Sequence, residues 1–537
     1  MKNHIKLYLM GLVALLISTT GCATPTTTPI ATIQPETKAV ASTSAPPTDA
    51  PTPTLSPTAT PTPVTPPPAP TPAAAQPTHS DYPSPADNWA APFALGGHIR
   101  DWNNVQEMKY AGMTWAKMQI HYPHEGTDII NTAHANGLKI QLTGLGNTEI
   151  VGEDNFIADY TAWVAQLAVE GADAIEIWNE PNIDREWPVG QISPQAYTEL
   201  LCAAYDAIKA ANPDTAVISA APAPTGWFGG CGPNGCDDMP FLEDMVEAGA
   251  IACMDYIGAH YAAGATSPMI RSGHPANPGS THHSWYFLSQ TELYYKLFES
   301  KKQLFYTEMG YASQEGVPEF ADMFAWAKNT INTQQSDWLV SAVNLARKND
   351  MVYAIMVWNV NFTRYGYDPQ DGYAIVRPDG SCPACESLHN ALVRTTPPPD
   401  QDRYTLRLPW EAGQEHCILP ESPPNHPDGF TFDMQTEPVL AAHSGWIIED
   451  KKDDVLGNTI LLCRDRDPSR DECSRYAHLN TSSVVEGQYV ERGQEIGLSG
   501  ETLFVTLQKG DDTVPATFDE MNGGTSSKAC YISQNER

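Results

Sequence analysis

Apolar and polar positions follow two different rhythms along this chain, and the change falls near residue 395. From about 90 to that point, amphipathic helical stretches give way to a turn residue and then to a short apolar run. "EMKYAGMTWAKMQI", "NTAHANGLKIQL", "QLAVEGADAIEIW", "AIKAANPDTAVIS", "MVEAGAIACMDYIGAH" and "LARKNDMVYAIMVW" all show it. In each, Gly, Asn or Asp stands where a helix must end in a left-handed residue. Ser193 before Pro194 supplies a helix start in "SPQAYTELLCAAYDAI". The pattern predicts eight strands, at 93–99, 115–122, 139–146, 174–180, 216–222, 256–262, 303–309 and 352–359. Eight alternating units in about 300 residues fit an α/β fold of the (β/α)8 barrel type, spanning 85–398, better than an open sheet.

After "RTTPPPD" the helical pattern stops and short β-like runs take over, which predicts a small all-β domain at 405–515. At the other end, Lys2 and Lys6 precede the apolar run "LYLMGLVALLIS", and small residues lead to Cys22. Residues 1–22 therefore read as an export signal, too short for a comfortable membrane span. From 23 to 80 the chain is almost wholly Thr, Pro, Ala and Ser, too poor in apolar surface to offset the entropy of ordering. It reads as a disordered stalk that could reach on the order of 170 Å at full extension.

Charge narrows the classes of partner. With 64 acidic against 31 basic residues, the net charge of −33 argues against nucleic acid and against anionic lipid surfaces. Eleven cysteines less Cys22 leave an even number in an exported chain, so disulfides are expected. Cys231 with Cys236 and Cys463 with Cys473 are the simplest pairs. "CPAC" at 382–385 lacks a thioredoxin-like context and reads as a loop closure rather than a redox pair.

Barrels of this type place their chemistry at the C-terminal ends of the strands. Glu180 ends the fourth predicted strand, "AIEIWNE", and Glu308 ends the seventh, "QLFYTE". Taken singly, a strand-end glutamate is more often a cap or an ion-pair member. Taken together at one mouth, two carboxylates are what glycosidic bond cleavage requires: one donates a proton to the departing oxygen while the other attacks the anomeric carbon or activates water.

"WNEPN" and "YTEMGY" resemble the acid/base and nucleophile signatures of clan A glycoside hydrolases, retaining enzymes built on a (β/α)8 barrel. The resemblance implies that Glu180 is the acid/base and Glu308 the nucleophile, with Asn179 binding the sugar 2-hydroxyl. "IGAHYAAG" resembles the clan's sixth-strand histidine and tyrosine, so Tyr261 is expected to hydrogen-bond Glu308 and His260 to line the sugar site. The clan spacing there is His-x-Tyr, whereas these two are adjacent. Trp358 in "MVWNVNF" matches the aromatic platform that ends the eighth strand, against the alternative of a buried core Trp. Lys117 stands where many clan members carry an arginine whose planar fork it cannot reproduce. No cofactor is implied, and the expected partner is a carbohydrate, cell-wall glycan included.

"TTGC" resembles the lipobox of bacterial lipoproteins, which implies acylation of Cys22, membrane attachment through that anchor alone, and a cell-surface or extracellular location. The region 405–515 resembles lysostaphin/LytM-type zinc peptidases, most clearly in "YAHL" and "EGQYVERGQEIGLSG". That family binds zinc through a His, an Asp four residues later, and the second His of a final His-x-His. Asp433 matches the aspartate, but Gly429 occupies the first histidine's place, and Phe504 and Thr506 stand where the closing histidines belong. His478 persists as one of two catalytic histidines, while His426 and His443 are the substitutes a shifted loop would have to use. The expectation is an inactive, peptidase-related domain with no metal site. The chain as a whole reads as an exported retaining β-glycoside hydrolase. The alternatives are a non-catalytic carbohydrate-binding or cell-wall-binding surface protein, and a zinc metallopeptidase acting on cell-wall peptides.

Overall fold

Eight parallel strands make up the first sheet: β1 (Ala94–His98), β2 (Trp115–His121), β3 (Lys139–Leu145), β4 (Ala174–Ile177), β5 (Ala216–Ser219), β6 (Ile257–Gly264), β7 (Leu304–Tyr311) and β8 (Val352–Val357). They lie in the order β5-β4-β3-β2-β1-β8-β7-β6. A parallel bridge between Ile218 and Tyr256 joins the two outer strands and closes the ring. This is a (β/α)8 barrel. The computed structural model describes residues 93–320, 322–362, 370–394, 406–420, 428–469, 472–510, 512–514, 518–521 and 530–535. The predicted signal with Cys22, the linker at 23–80, and His426 lie outside the described residues.

The helices end as their sequences require, with two instructive exceptions. Gly112, Gly137, Gly171 and Gly249 all take positive φ after a helix, the conformation a Cβ would hinder. Asn212 and Asn349, expected to be left-handed, are extended at φ −150° and −117°. Asn212 precedes a proline, which disfavours helical geometry in the residue before it. At Asn349 the side chain does the capping instead, donating to Leu345 O at 2.7 Å. Ser193 caps the helix Pro194–Ala211 by accepting from Ala196 N at 3.2 Å.

Inside the barrel, Ala94, Trp115, Ala174, Ile218, Phe305, Ala354 and Met356 form an apolar floor near the strand starts. Above it, buried Gln141, Thr143, Glu176, Lys117, His260 and Thr307 replace apolar side chains. That change from apolar to polar marks the functional end.

The C-terminal domain is antiparallel and all β, built on β9 (Glu415–Leu419), β10 (Phe430–Phe432), β11 (Pro438–Leu440), β12 (Gly445–Asp453), β13 (Gly457–Cys463), β14 (Glu472–Ser482), β15 (Tyr489–Val490), β16 (Glu495–Lys509), β17 (Asp512–Val514) and β18 (Cys530–Ile532). The order is β15-β12-β13-β14-β16-β10-β9-β18, with β11 and β17 also paired to β16. Leu498 on β16 is buried within the barrel's own hydrophobic cluster. Across the same boundary Ser267 donates to Glu495 at 2.5 Å, and Asn344 donates to Ser483 O at 2.8 Å.

All ten cysteines beyond Cys22 are paired. The bonds are Cys202–Cys253, Cys231–Cys236, Cys382–Cys385, Cys417–Cys530 and Cys463–Cys473.

Candidate active site

Strand β4 stops at Ile177, three residues short of its expected end, because the chain turns out of the sheet there. Trp178 and Glu180 both adopt positive φ, 75° and 41°. For residues with a Cβ, that conformation costs on the order of 1–3 kcal/mol each and needs surrounding structure to impose it. Here the Trp178 indole donates to Glu186 O at 2.8 Å, and Glu180 N donates to Ala221 O at 3.0 Å. Gly146 supplies the room: a Cβ at that position would meet the Trp178 ring at 1.9 Å. The turn thus aims Asn179 and Glu180 into the mouth, which is what the apolar run before them is for.

Glu308 arrives from β7 with its side chain 12% exposed. Lys117, from β2 and fully buried, donates to Glu308 Oε1 at 2.9 Å. His98 Nδ1, at the end of β1, lies 3.3 Å from the same oxygen. His260 Nδ1, on β6, lies 3.0 Å from Glu180 Oε1 and 3.9 Å from Glu308 Oε2, so one imidazole stands between the two carboxylates. Burial opposes ionisation of Glu308, yet Lys117, His260 and His98 outweigh it and hold the group well below the usual carboxylate range. Burial likewise opposes charge on His260, but Glu308 and Glu180 overcome it and raise its pKa. His98 goes the other way, lowered to about 4 by burial first and then by Lys117.

Three residues complete the arrangement, and none stood out in the sequence. Glu176, fully buried, lies 3.7 Å from Lys117 and accepts from the Thr143 and Thr307 hydroxyls, both at 2.7 Å. An acidic residue inside the apolar run "AIEIW" was the available signal, since a buried charge requires partners. Arg185 donates to Glu180 Oε2 at 2.7 Å and to Glu186 Oε1 at 2.8 Å. Both lie on the irregular segment after β4, where periodicity says nothing. Burial first, and then the charge on Glu180, raise the pKa of Glu186, while Arg185 and an Asn179 hydrogen bond oppose the rise.

The expected residues divide. Asn179, Glu180, His260 and Glu308 come together, and Lys117 belongs with them. Asn179 Oδ1 is buried without a hydrogen-bond partner, and so is His260 Nε2, which lies 4.0 Å from buried Glu176 Oε1. Tyr261 does not reach Glu308. Its hydroxyl donates to Trp285 O at 3.0 Å, and its ring packs on Phe287 and Tyr311. Successive strand residues point to opposite faces, so with His260 inward its neighbour faces the helices. Trp358 is 3% exposed and packs on Tyr373 at 4.7 Å, in a cluster with Ala262, Ala312, Phe320 and Phe324. It is a core residue here rather than an open platform. A cavity of about 360 Å³ is lined by His121, Tyr122, Asn147, Thr148, Arg185 and Glu186 among others, and meets the site through Arg185, which also holds Glu180.

On the C-terminal sheet, Phe504 pairs with Thr431, so positions 429, 433, 504 and 506 share one face. The face does not suit zinc. A Cβ at Gly429 would meet the Phe504 ring at 2.2 Å, so that ring already fills the space an imidazole from 429 would need. Asp433 accepts from Cys417 N at 2.7 Å and lies 3.3 Å from His416. His478 Nδ1 is 3.0 Å from the Thr502 hydroxyl. His443 is buried, with Nε2 2.9 Å from the Ser474 hydroxyl, and is no substitute ligand.

Residues 426–511 match the model of peptidase family M23. The peptidoglycan DD-endopeptidase ShyA of Vibrio cholerae serotype O1 is 27% identical over 158 residues, 29% of this chain. This chain spans only 34% of that relative. Among solved structures, a family 39 glycoside hydrolase from Bacteroides cellulosilyticus WH2 is 14% identical with a TM-score of 0.43, covering 78% of this chain and 81% of its own. A glucosidase from Croceicoccus marinus is 12% identical with a TM-score of 0.40, covering 77% and 95%.

Proposed function

We propose that this chain is an exported retaining β-glycoside hydrolase, held at the cell surface by a lipid on Cys22 and acting on an extracellular glycan. Glu308 attacks the anomeric carbon, and Glu180 protonates the departing oxygen and later activates water. The observation that carries the reading is the setting of Glu308: a carboxylate kept ionised at the barrel mouth, with a second carboxylate across a shared histidine. A nucleophile must be charged before it attacks, and Lys117 and His260 keep it so. The unpartnered Asn179 Oδ1 is suited to a sugar hydroxyl.

A panel of β-linked polysaccharides and aryl β-glycosides tests this. The expected outcome is hydrolysis of at least one, with NMR of fresh product showing the β anomer. The α anomer would overturn retention. A second reading, glycan binding without turnover, draws on the Arg185 contact that occupies Glu180. Binding across the panel with no product would select it. For the C-terminal domain we propose a scaffolding role without peptide hydrolysis, since the Phe504 ring fills the space that a ligand side chain at 429 would need.

A further inference from the structure

Both oxygens of Glu180 are engaged. Oε1 faces His260 Nδ1 at 3.0 Å and Oε2 accepts from Arg185 Nη2 at 2.7 Å. A carboxyl group that is to hand a proton to a leaving oxygen needs one of its oxygens clear. His260 is 3% exposed and fixed in β6, whereas Arg185 is 34% exposed on the irregular segment after β4. The guanidinium is the partner that can move.

Where it would move is also defined. Arg185 and Glu186 line a cavity of about 360 Å³ together with His121, Tyr122, Asn147 and Thr148, so the guanidinium that holds Glu180 is also part of the cavity wall. That volume lies within the range of small-molecule sites, and its wall is rich in groups that match hydroxyls. One guanidinium is shared here between two carboxylates, so the wall offers no surplus positive charge to an anionic ligand. In a chain of net charge −33, a uronate or sulfated sugar is disfavoured further.

We propose that Arg185 is a specificity-determining gate: a neutral saccharide leaving group, entering the cavity, draws the guanidinium onto its oxygens and so frees Glu180 to act as acid. The inference rests on the glycosidase reading and adds to it the class of leaving group. A small alcohol or phenol cannot fill the cavity and leaves Arg185 on Glu180. A saccharide both binds and releases the acid.

The test compares kcat/KM for a neutral β-linked trisaccharide and for the methyl β-glycoside of the same sugar, whose leaving alkoxide needs the acid, in the full chain and in Arg185→Ala and Arg185→Lys. Removing Arg185 deletes charge-assisted contacts to the saccharide and unblocks Glu180 for the small substrate. The ratio of trisaccharide to methyl-glycoside activity should therefore fall about 10-fold or more in Arg185→Ala, and less in Arg185→Lys. Thermal melting of each variant separates this from misfolding, which lowers both activities together. A ratio that stays within about 3-fold of the parent overturns the gate while leaving the glycosidase reading intact. A parent chain that hydrolyses neither substrate, nor any member of the panel, sinks that reading and the gate with it.

Discussion

At the barrel mouth Glu308, 12% exposed, keeps Lys117, His98 and His260 within 4 Å. On the face of the C-terminal sheet Asp433, 43% exposed, keeps His416 at 3.3 Å while Gly429, Phe504 and Thr506 stand around it. The contrast shows how two polar sites in one chain can meet opposite ends. Within the barrel each charge is partnered by another buried charge, so deleting one member strands the others at several kcal/mol. The set is kept whole or lost whole. On the sheet, where the resemblance would put histidines at 429, 504 and 506, the Phe504 phenyl ring packs with Leu456 and Ala477, apolar packing in place of polar groups. Such a replacement stabilises the domain, and reversing it means opening the core.

The largest effect that would break this contrast is on turnover. Glu308→Gln keeps the shape and removes the charge that Lys117 and His260 gather around. Activity on every substrate should fall on the order of 10⁴-fold or more, as for loss of a covalent nucleophile. His478→Ala, on the sheet, should leave glycan hydrolysis within about 2-fold, because its side chain packs on Thr502 and the Phe504 ring of the C-terminal domain. Equal losses in the two variants would mean that the sites are not independent.

Much of the barrel was legible because its signals are local. Helix-ending glycines and apolar runs marked all eight strands, and strand ends pointed to Glu180 and Glu308. What escaped depends on contacts between distant segments. Tyr261 was misdirected because motif likeness ignores which face of β6 an adjacent residue occupies. Trp358 could not be told from a core residue until Tyr373 lay against it. His98, Glu176 and Arg185 gained meaning only when four strands and a loop converged. In the C-terminal domain the losses were legible as substitutions, but that the Phe504 ring occupies the Gly429 space was not.

The plug itself yields the next effect. Phe504→Ala should open a cavity and cost about 3–5 kcal/mol of the domain's stability. Gly429→Ala should cost about 1–3 kcal/mol by driving a methyl against the ring. Denaturant unfolding checks both. If Phe504→Ala were neutral, the ring would be an idle occupant and the site merely unused. A triple change, Gly429→His with Phe504→His and Thr506→His, sharpens the point: metal analysis should show zinc retained by it and not by the parent.

Leu498 joins the two regions. Its side chain lies in the barrel's cluster although its strand belongs to the sheet. Leu498→Ala should cost about 2–5 kcal/mol. The loss should appear in the unfolding transition that abolishes glycan hydrolysis, since the barrel loses core contacts. Were only a separate transition of the C-terminal domain to shift, the two regions would be thermodynamically independent.

The smallest effect separates buried histidines by sign. His98 titrates at about 4 in the folded protein against 6.5 when unperturbed. As pH falls through that window the unfolded chain takes up a proton that the folded chain refuses, so stability drops with acid, by up to about 3 kcal/mol near pH 4. Glu308 behaves differently: its folded pKa is depressed, so its contribution is present above 4.5 and fades only as pH falls through the lower folded value. His260, raised above 6.5, contributes stability that is fully present below 6.5 and is lost as pH rises through its folded pKa. Replacing His98 by Asn removes the first of these terms and leaves the window from 6.5 to 4 otherwise intact. Urea unfolding at pH 7 and at pH 4.5 should show the variant losing less stability between them than the parent, whatever its absolute stability at pH 7. Parallel losses in the two proteins would place His98 in contact with solvent, and the buried, mutually partnered character of the barrel mouth would have to be given up.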